Sequence, residues 1–395
     1  MILSLGLILG LGFIGGYLIN KIKIPSLVGM IIIGILLGPT VLNWLDLDIL
    51  NISSTLRQLA LVIILTRSGL NLDLESLKKI GRPAILLSFL PATFEIAGVA
   101  LISFFLINLS IFESVLLGSV LAAVSPAVTS PRMIKLIEAG YDGKNNVCKL
   151  VLAGSSIDDI YVIVIFYAFL GLVESNSFNA LSIGMIPISI VLGVLLGLGV
   201  GFIVSLIINR FNVKTPLYVL LLFSLSLLML GLETLVKQYV SISGLLAIIV
   251  MAMVVLFKTK EKAKTISQGY NSLWLFFEII LFVLVGASLN FDYVINNLWQ
   301  GILIIFGGLI FRSIGVLLCL IKTKLTFKER LFVIISYLPK ATVQASIGGI
   351  ALSNGLVCGP VILAIAVLSI VITAPIGAFL IDNFAPKLLT TEQPE

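Results

Sequence analysis

The chain has 395 residues, 59% of them hydrophobic and only 11% charged, with a mean hydropathy of +1.20. Such a composition excludes a soluble globular enzyme and a nucleic-acid binder, and places the chain among multi-pass, all-α membrane proteins. The net charge of +6 is then a topology signal, and the absence of histidine means that any pH response rests on carboxylates or lysines.

Apolar runs predict thirteen membrane spans, at 2–19, 25–44, 56–72, 83–107, 112–137, 147–173, 182–208, 216–236, 241–257, 272–290, 298–321, 329–352 and 357–381. The first run lacks a basic start and a small-residue cleavage site, so it reads as span 1 and not as a signal peptide. Connections after odd-numbered spans, with the end of the chain, hold twenty of the 25 basic residues, whereas the opposite connections hold only Arg57 and Lys237. By the positive-inside rule the N-terminus lies outside and the C-terminus in the cytoplasm of a cell (inner) membrane. Arg67 sits at the cytoplasmic end of span 3, where its long side chain is able to snorkel.

Span 4 carries Glu95 and span 11 carries Arg312, both in mid-span. A guanidinium at that depth requires an anion, so these two are expected to form an ion pair, with Asp158 the competing partner. Glu278 opens the apolar run of span 10 and reads as structural.

Span 5 (SVLAAVSPAVTSPRMIKLI) is interrupted by Pro126 and Pro131, with Ser125, Thr129 and Ser130 around them. Span 12 (VIISYLPKATVQASIGGIAL) is interrupted at Pro339 and carries Lys340, Thr342 and Gln344. A proline removes a backbone donor and blocks the preceding turn, which frees carbonyls to line a cavity. The two breaks lie seven spans apart, as do Glu95 and Arg312. Seven is odd, so spans 1–6 and 8–13 are expected to form an inverted repeat joined by span 7. Broken helices at matching places in inverted halves point to a transporter's midplane site. Lys340 is placed to neutralise the carbonyl end of a half-helix.

Span 6 (VCKLVLAGSSIDDIYVIVIFYAFLGLV) buries two adjacent acids, Asp158 and Asp159. A carboxylate at mid-membrane costs roughly 3 kcal/mol or more and marks an ion or proton path. Neighbours on a helix point about 100° apart, which gives the two acids different jobs. Ser155 lies one turn before Asp159 and is able to lend it an oxygen. Cys148, Cys319 and Cys358 show no metal-like spacing.

LAAVSPAVTSP (121–131), AGSSIDD (153–159) and LPKATVQASIG (338–348) resemble the monovalent cation/proton antiporter superfamily, and within it the NHA-type sodium/proton antiporters. PSLVGMIIIGILLGP (25–39) and LTRSGLNLD (65–73) add broader resemblance in the same order. The resemblance implies the NhaA-like antiporter fold, with two crossed broken helices, in a homodimer within the lipid bilayer. Spans 4–6 and 11–13 (about 83–173 and 298–381) would be the ion-transporting core. Spans 1–3 and 8–10 (about 1–72 and 216–290) would be the dimerisation domain, with 182–208 a linker helix. Asp159 matches the family's ion-binding aspartate and Asp158 its companion, and Ser125 to Thr129 would line the same site. The family has lysine in many electrogenic members at the position of Arg312, and arginine does not release its proton. Exchange is therefore expected to be electroneutral.

The expected activity is exchange of Na⁺ or Li⁺ for H⁺ by alternating access, both competing for Asp159, with Asp158, Ser155 and freed carbonyls near Thr129 as the further oxygen ligands of the cation, and with no enzymatic step and no cofactor. A K⁺/H⁺ antiporter of the same fold is the nearest alternative. An organic-anion carrier conflicts with midplane acids. An intramembrane aspartyl protease needs aspartates on separate helices, a polyprenyl-group enzyme needs acidic clusters at helix ends, and a channel needs repeated filter loops.

Overall fold

The computed structural model describes residues 1–72, 81–142, 145–175, 180–236, 239–240 and 242–390, without the side chains of 156, 175 and 180–186. Asp73 of the LTRSGLNLD stretch and four residues of the charge count, Lys78, Lys79, Lys144 and Lys237, lie outside the described residues. All regular elements among the described residues are helices. In chain order they are α1 (Ile2–Lys21), α2 (Ser26–Leu37), α3 (Leu47–Asn51), α4 (Ser53–Leu70), α5 (Arg82–Leu87), α6 (Leu90–Leu106), α7 (Ile111–Leu121) and α8 (Pro126–Glu138). There follow α9 (Val147–Ser175), α10 (Ala180–Arg210), α11 (Thr215–Val236), α12 (Gly244–Lys258), α13 (Lys260–Ala287) and α14 (Phe291–Asn296). The chain ends with α15 (Leu298–Cys319), α16 (Phe327–Ser336), α17 (Thr342–Ile347), α18 (Ile350–Ser353) and α19 (Gly359–Leu388).

Nine stretches among the described residues are long and apolar enough to cross a membrane, counting α5–α6 and α7–α8 as one each. The other four expected spans fall on the shorter α2 and α12, on α4, and on the interrupted series α16–α18. Two boundaries differ from the sequence-based expectation. The span expected over 25–44 stops being helical at Leu37, because Gly38 precedes Pro39 and takes an extended conformation. The span expected from 272 starts at Lys260, because the preceding KEKAKTISQGYN is rich in straight-chain helix formers and continues the helix.

The structure separates into two compact units. One comprises Met1–Ser54, Asp73–Phe169 and Ile279–Glu395, and the other Thr55–Leu72 and Leu170–Glu278. In the second, α10 packs on α12 through Gly193, Gly197 and Gly201, which abut Ser243, Ala247 and Met251. Asn71 accepts a hydrogen bond from Ser267 at 2.5 Å. Arg67 is half-buried there, within electrostatic reach of Glu278 on α13.

The first unit contains both broken spans. Each opens with the same device: Ser110 and Glu113 cap α7 reciprocally, and Thr326 and Glu329 do so for α16. Each helix then runs ten or eleven residues before its break. The first break is 122–125, ahead of both prolines. Pro126 is the first helical residue of α8, where its missing N–H costs nothing, and Pro131 lies inside that helix. Thr129 and Ser130 are therefore helical and not part of the interruption. The second break, 337–341, contains Pro339 and Lys340.

Glycines bring α6 and α15 together. Gly98 faces Phe311, Gly308 faces Val99 and the Glu95 side chain, and a Cβ on Gly315 would lie 2.8 Å from the Pro91 backbone. Small residues at such crossings let backbones approach closely. Gly315→Ala is expected to lower the melting temperature, since backbone atoms cannot yield and overpacking costs about 1–3 kcal/mol. Gly10→Ala, with open space around it, is the control that should leave melting unchanged. Equal melting of the two variants would refute the close α6–α15 approach.

Candidate functional site

The two breaks touch. Ser125 N–H donates to the Pro339 carbonyl at 2.8 Å, and the Thr129 hydroxyl donates to the Ser336 carbonyl at 3.2 Å. Gln344 holds the crossing from the other side. Its Oε1 accepts from Ala341 N–H at 2.8 Å, and its Nε2 donates to the carbonyls of Leu121 at 3.2 Å and Ala123 at 2.8 Å. Lys340 N–H, within the break, donates to the Thr373 hydroxyl of α19 at 2.9 Å. The carbonyls released by the first break are thus largely claimed by protein donors: two by Gln344 and a third, that of Ala122, by Arg312. The sequence suggested that such carbonyls would face a cavity.

Four charged side chains form a continuous network behind this crossing. Lys340 Nζ lies 2.6 Å from Glu95 Oε2, which lies 2.7 Å from an Arg312 NH1 nitrogen. The other terminal nitrogen of Arg312 lies 2.9 Å from Asp158 Oδ2, which also accepts Val124 N–H at 2.8 Å. None of the four is more than 2% exposed. The two partners that the sequence set in competition for Arg312 are both engaged by it, because a guanidinium has several donors. Lys340 reaches Glu95 and does not cap a half-helix. The sequence gives no spacing signal for that contact, since Glu95 and Lys340 lie 245 residues apart.

Two cations and two anions cancel, so the network carries no net charge. Asp159 stands outside that sum. It is 4% exposed, its Oδ1 has no hydrogen-bond partner, and no Lys or Arg among the described residues pairs with it. The Ser125 Oγ, 1% exposed, is likewise without a partner. Ser155, fully buried, donates its hydroxyl proton to the Leu152 carbonyl at 3.3 Å, which leaves its oxygen lone pairs uncommitted. Buried polar atoms are normally satisfied, and here the orphaned oxygens, which also include Asp158 Oδ1 and Thr342 Oγ1, occur on α9 and beside the two breaks. The chemistry of this set is hard oxygen plus one negative charge, which suits a proton or a small monovalent cation. No cluster of three or more potential metal ligands of the His, Cys, Asp or Glu type occurs among the described residues.

Sequence reasoning missed one neighbour of the network. Tyr337, fully buried at the end of α16, places its ring 5.3 Å from the Arg312 guanidinium carbon. A tyrosine in an apolar run carries no signal of its own.

Comparison with known proteins adds a family. The profile described as "Sodium/hydrogen exchanger, transmembrane" matches residues 8–384. Among curated proteins, sodium/hydrogen exchanger 9B2 of Homo sapiens is 34% identical over 404 aligned positions, covering 95% of this chain and 73% of the human protein. Sodium/hydrogen exchanger 9B1 of Homo sapiens is 32% identical, covering 95% of this chain and 76% of its own length. Among solved structures, the sodium proton antiporter MjNhaP1 from Methanocaldococcus jannaschii at pH 8 superposes with a TM-score of 0.85 at 22% identity, over 98% of both chains.

Proposed function

Because the chain belongs to the sodium/hydrogen exchanger family, we propose that it is a multi-pass membrane antiporter in which Na⁺ or Li⁺ and H⁺ compete for Asp159. The observation that carries this reading is the contrast between two adjacent acids. Asp158 is held through Oδ2 by Arg312 and Val124, its own Oδ1 being unpaired, whereas Asp159 pairs with no Lys or Arg among the described residues and its Oδ1 accepts no hydrogen bond. With Asp159 ionised, the crossing holds one uncompensated negative charge in a low-dielectric setting, which is costly. A single bound proton or a single Na⁺ removes it. Only the neutralised site then passes the barrier, so movement without cargo is suppressed and exchange is one for one. Asp159 supplies the charge, and Ser155, Ser125 and Thr129 supply neutral oxygens around it. Asp158 orients the network and does not share the cargo. Pro126 and Pro339 fix the helix ends at the crossing; Pro131 plays no part in the break itself.

The distribution of basic residues supports a chain with its N-terminus outside and its C-terminus in the cytoplasm. Residues 83–173 and 298–381 are assigned to the part that carries the ion. Residues 1–72 and 216–290 are assigned to pairing with a second copy, with 182–208 linking the two. The activity is tested by dequenching of a pH dye in proteoliposomes on adding Na⁺, Li⁺ or K⁺ in turn. Dequenching by Na⁺ and Li⁺ is expected; a response to K⁺ alone would overturn the substrate assignment.

One-for-one exchange moves no net charge. Solid-supported membrane electrophysiology on the wild-type protein should therefore show no sustained Na⁺-dependent transport current. A sustained current would refute electroneutrality, and repeating it with Lys340→Ala and Asp158→Asn would identify the second proton carrier.

A further inference from the structure

Arg312 is the hub of the charge network, and part of its guanidinium is left without an acceptor. Its terminal nitrogens donate to Glu95, Asp158 and the Ala122 carbonyl, while its Nε has no acceptor. Asp159 is the next residue after Asp158 on α9 and bears the charge opposite to that of Arg312. A guanidinium that swung from one aspartate to the next would occupy the cation seat with a charge that cannot leave.

Tyr337 packs against the guanidinium. Its ring lies 5.3 Å from the guanidinium carbon of Arg312, within the range of a cation–π contact. The phenol oxygen is buried and has no hydrogen-bond partner, so the hydroxyl does not anchor the ring. Packing does. The hydroxyl end is pressed against Gly154 of α9, one turn before Asp158, and a Cβ at that position would collide with it. Gly154 is thus the one residue type that lets an aromatic ring of this length reach the face of Arg312. Leu87 closes the same spot, its Cβ 2.8 Å from where a side chain on Gly154 would begin.

We infer that Tyr337 is a positioning residue that holds Arg312 on Glu95, Asp158 and the Ala122 carbonyl and so keeps the guanidinium off Asp159, in a seat made possible by Gly154. This inference rests on the assignment of Asp159 as the exchange site. The charged groups that act on Asp159 are Asp158 on its own helix, Arg312 on α15 and Lys340 in the second break, with Glu95 on α6 joining the last two. If Arg312 is released toward Asp159, both Na⁺ and H⁺ must compete with a fixed cation. The apparent KM for Na⁺ then rises, and the pH of half-activity falls, because the proton also binds less well. A partly unfolded preparation lowers the maximal rate and moves neither.

The test is Na⁺-dependent proton flux in proteoliposomes, read as KM and pH profile, for Tyr337→Phe, Tyr337→Leu, Gly154→Ala and the Gly154→Ala/Tyr337→Phe double variant. Tyr337→Phe keeps the ring and should match the wild type. Tyr337→Leu should raise the Na⁺ KM about tenfold and shift the pH profile to acid. Gly154→Ala should do the same, and removing the phenol oxygen in the double variant should restore part of the loss, the contact with Leu87 remaining. An unchanged KM and pH profile in Tyr337→Leu, or equal damage from Tyr337→Phe, would overturn the proposal. Asp159→Asn, measured alongside, reads the exchange-site assignment separately: exchange surviving in that variant defeats the site, whatever the Tyr337 series shows.

Discussion

Asp159→Asn is expected to abolish Na⁺-dependent proton flux while leaving the protein at least as stable as the wild type. The two halves of that result have one cause. Asparagine keeps the shape of the side chain but can neither bind a proton reversibly nor offset a monovalent cation. The site then crosses the barrier without cargo or not at all, and coupled exchange is lost in either case. Stability moves the other way, because the substitution removes a buried carboxylate that forms no ion pair among the described residues and whose Oδ1 has no hydrogen-bond partner. Uncompensated buried charge is destabilising, so its removal is neutral or favourable. Asp158→Asn should show the reverse pattern. It deprives Arg312 of a partner at 2.9 Å and unbalances the network, so melting in detergent should fall while residual exchange persists with an altered pH dependence. Dye dequenching and thermal melting on the same two preparations distinguish the roles. Wild-type exchange in Asp159→Asn, or matching profiles for the two variants, would sink the division of labour.

How much of this was legible in the sequence depends on the range of the interaction concerned. Broken helices announce themselves locally, through Pro126 beside Ser125 and through Pro339 beside Lys340, because proline alters its own turn. Even there the sequence placed the first break too late, over Ser125 to Thr129, where the structure has it at 122–125. A proline is accommodated at the first turn of a helix, so the interruption lies before Pro126 and leaves Thr129 helical. Glu95, Asp158, Asp159 and Arg312 were visible as charges in apolar runs, where a hydropathy reading cannot overlook them. The sharing of Arg312 between two acids, the reach of Lys340 to Glu95 and the clasp made by Gln344 were not visible. They are contacts between residues some 150 to 245 positions apart, and they depend on glycines that set how closely α6 and α15 approach. Tyr337 is the extreme case. Its role is written in the absence of a side chain at Gly154, and an absence in one span gives no hint of a ring in another.

The charge network itself predicts an ordering of stabilities that no list of independent pairs would give. Glu95 holds two cations on one oxygen, Lys340 at 2.6 Å and Arg312 at 2.7 Å. Glu95→Gln, which keeps the volume, removes the one anion paired with Lys340 among the described residues and one of the two that hold Arg312. Breaking a buried pair by removing one partner costs about 3–5 kcal/mol, so this variant should melt well below the wild type. Arg312→Met should lose a comparable amount, since it leaves Asp158 with Val124 N–H alone. Lys340→Met should lose less: it leaves the network with one negative charge in excess, but both Glu95 and Asp158 keep Arg312 as a partner. The decisive variant combines Glu95→Gln with Lys340→Met. It restores charge balance around an intact Arg312–Asp158 pair, and it should recover a substantial part of the loss seen in Glu95→Gln alone. Residues in one network couple, and the double-mutant cycle measures that coupling directly. If the losses from Glu95→Gln and Lys340→Met simply add, the two residues are energetically independent. The neutral network would then not be the reason that Asp159 alone is left to meet the cargo.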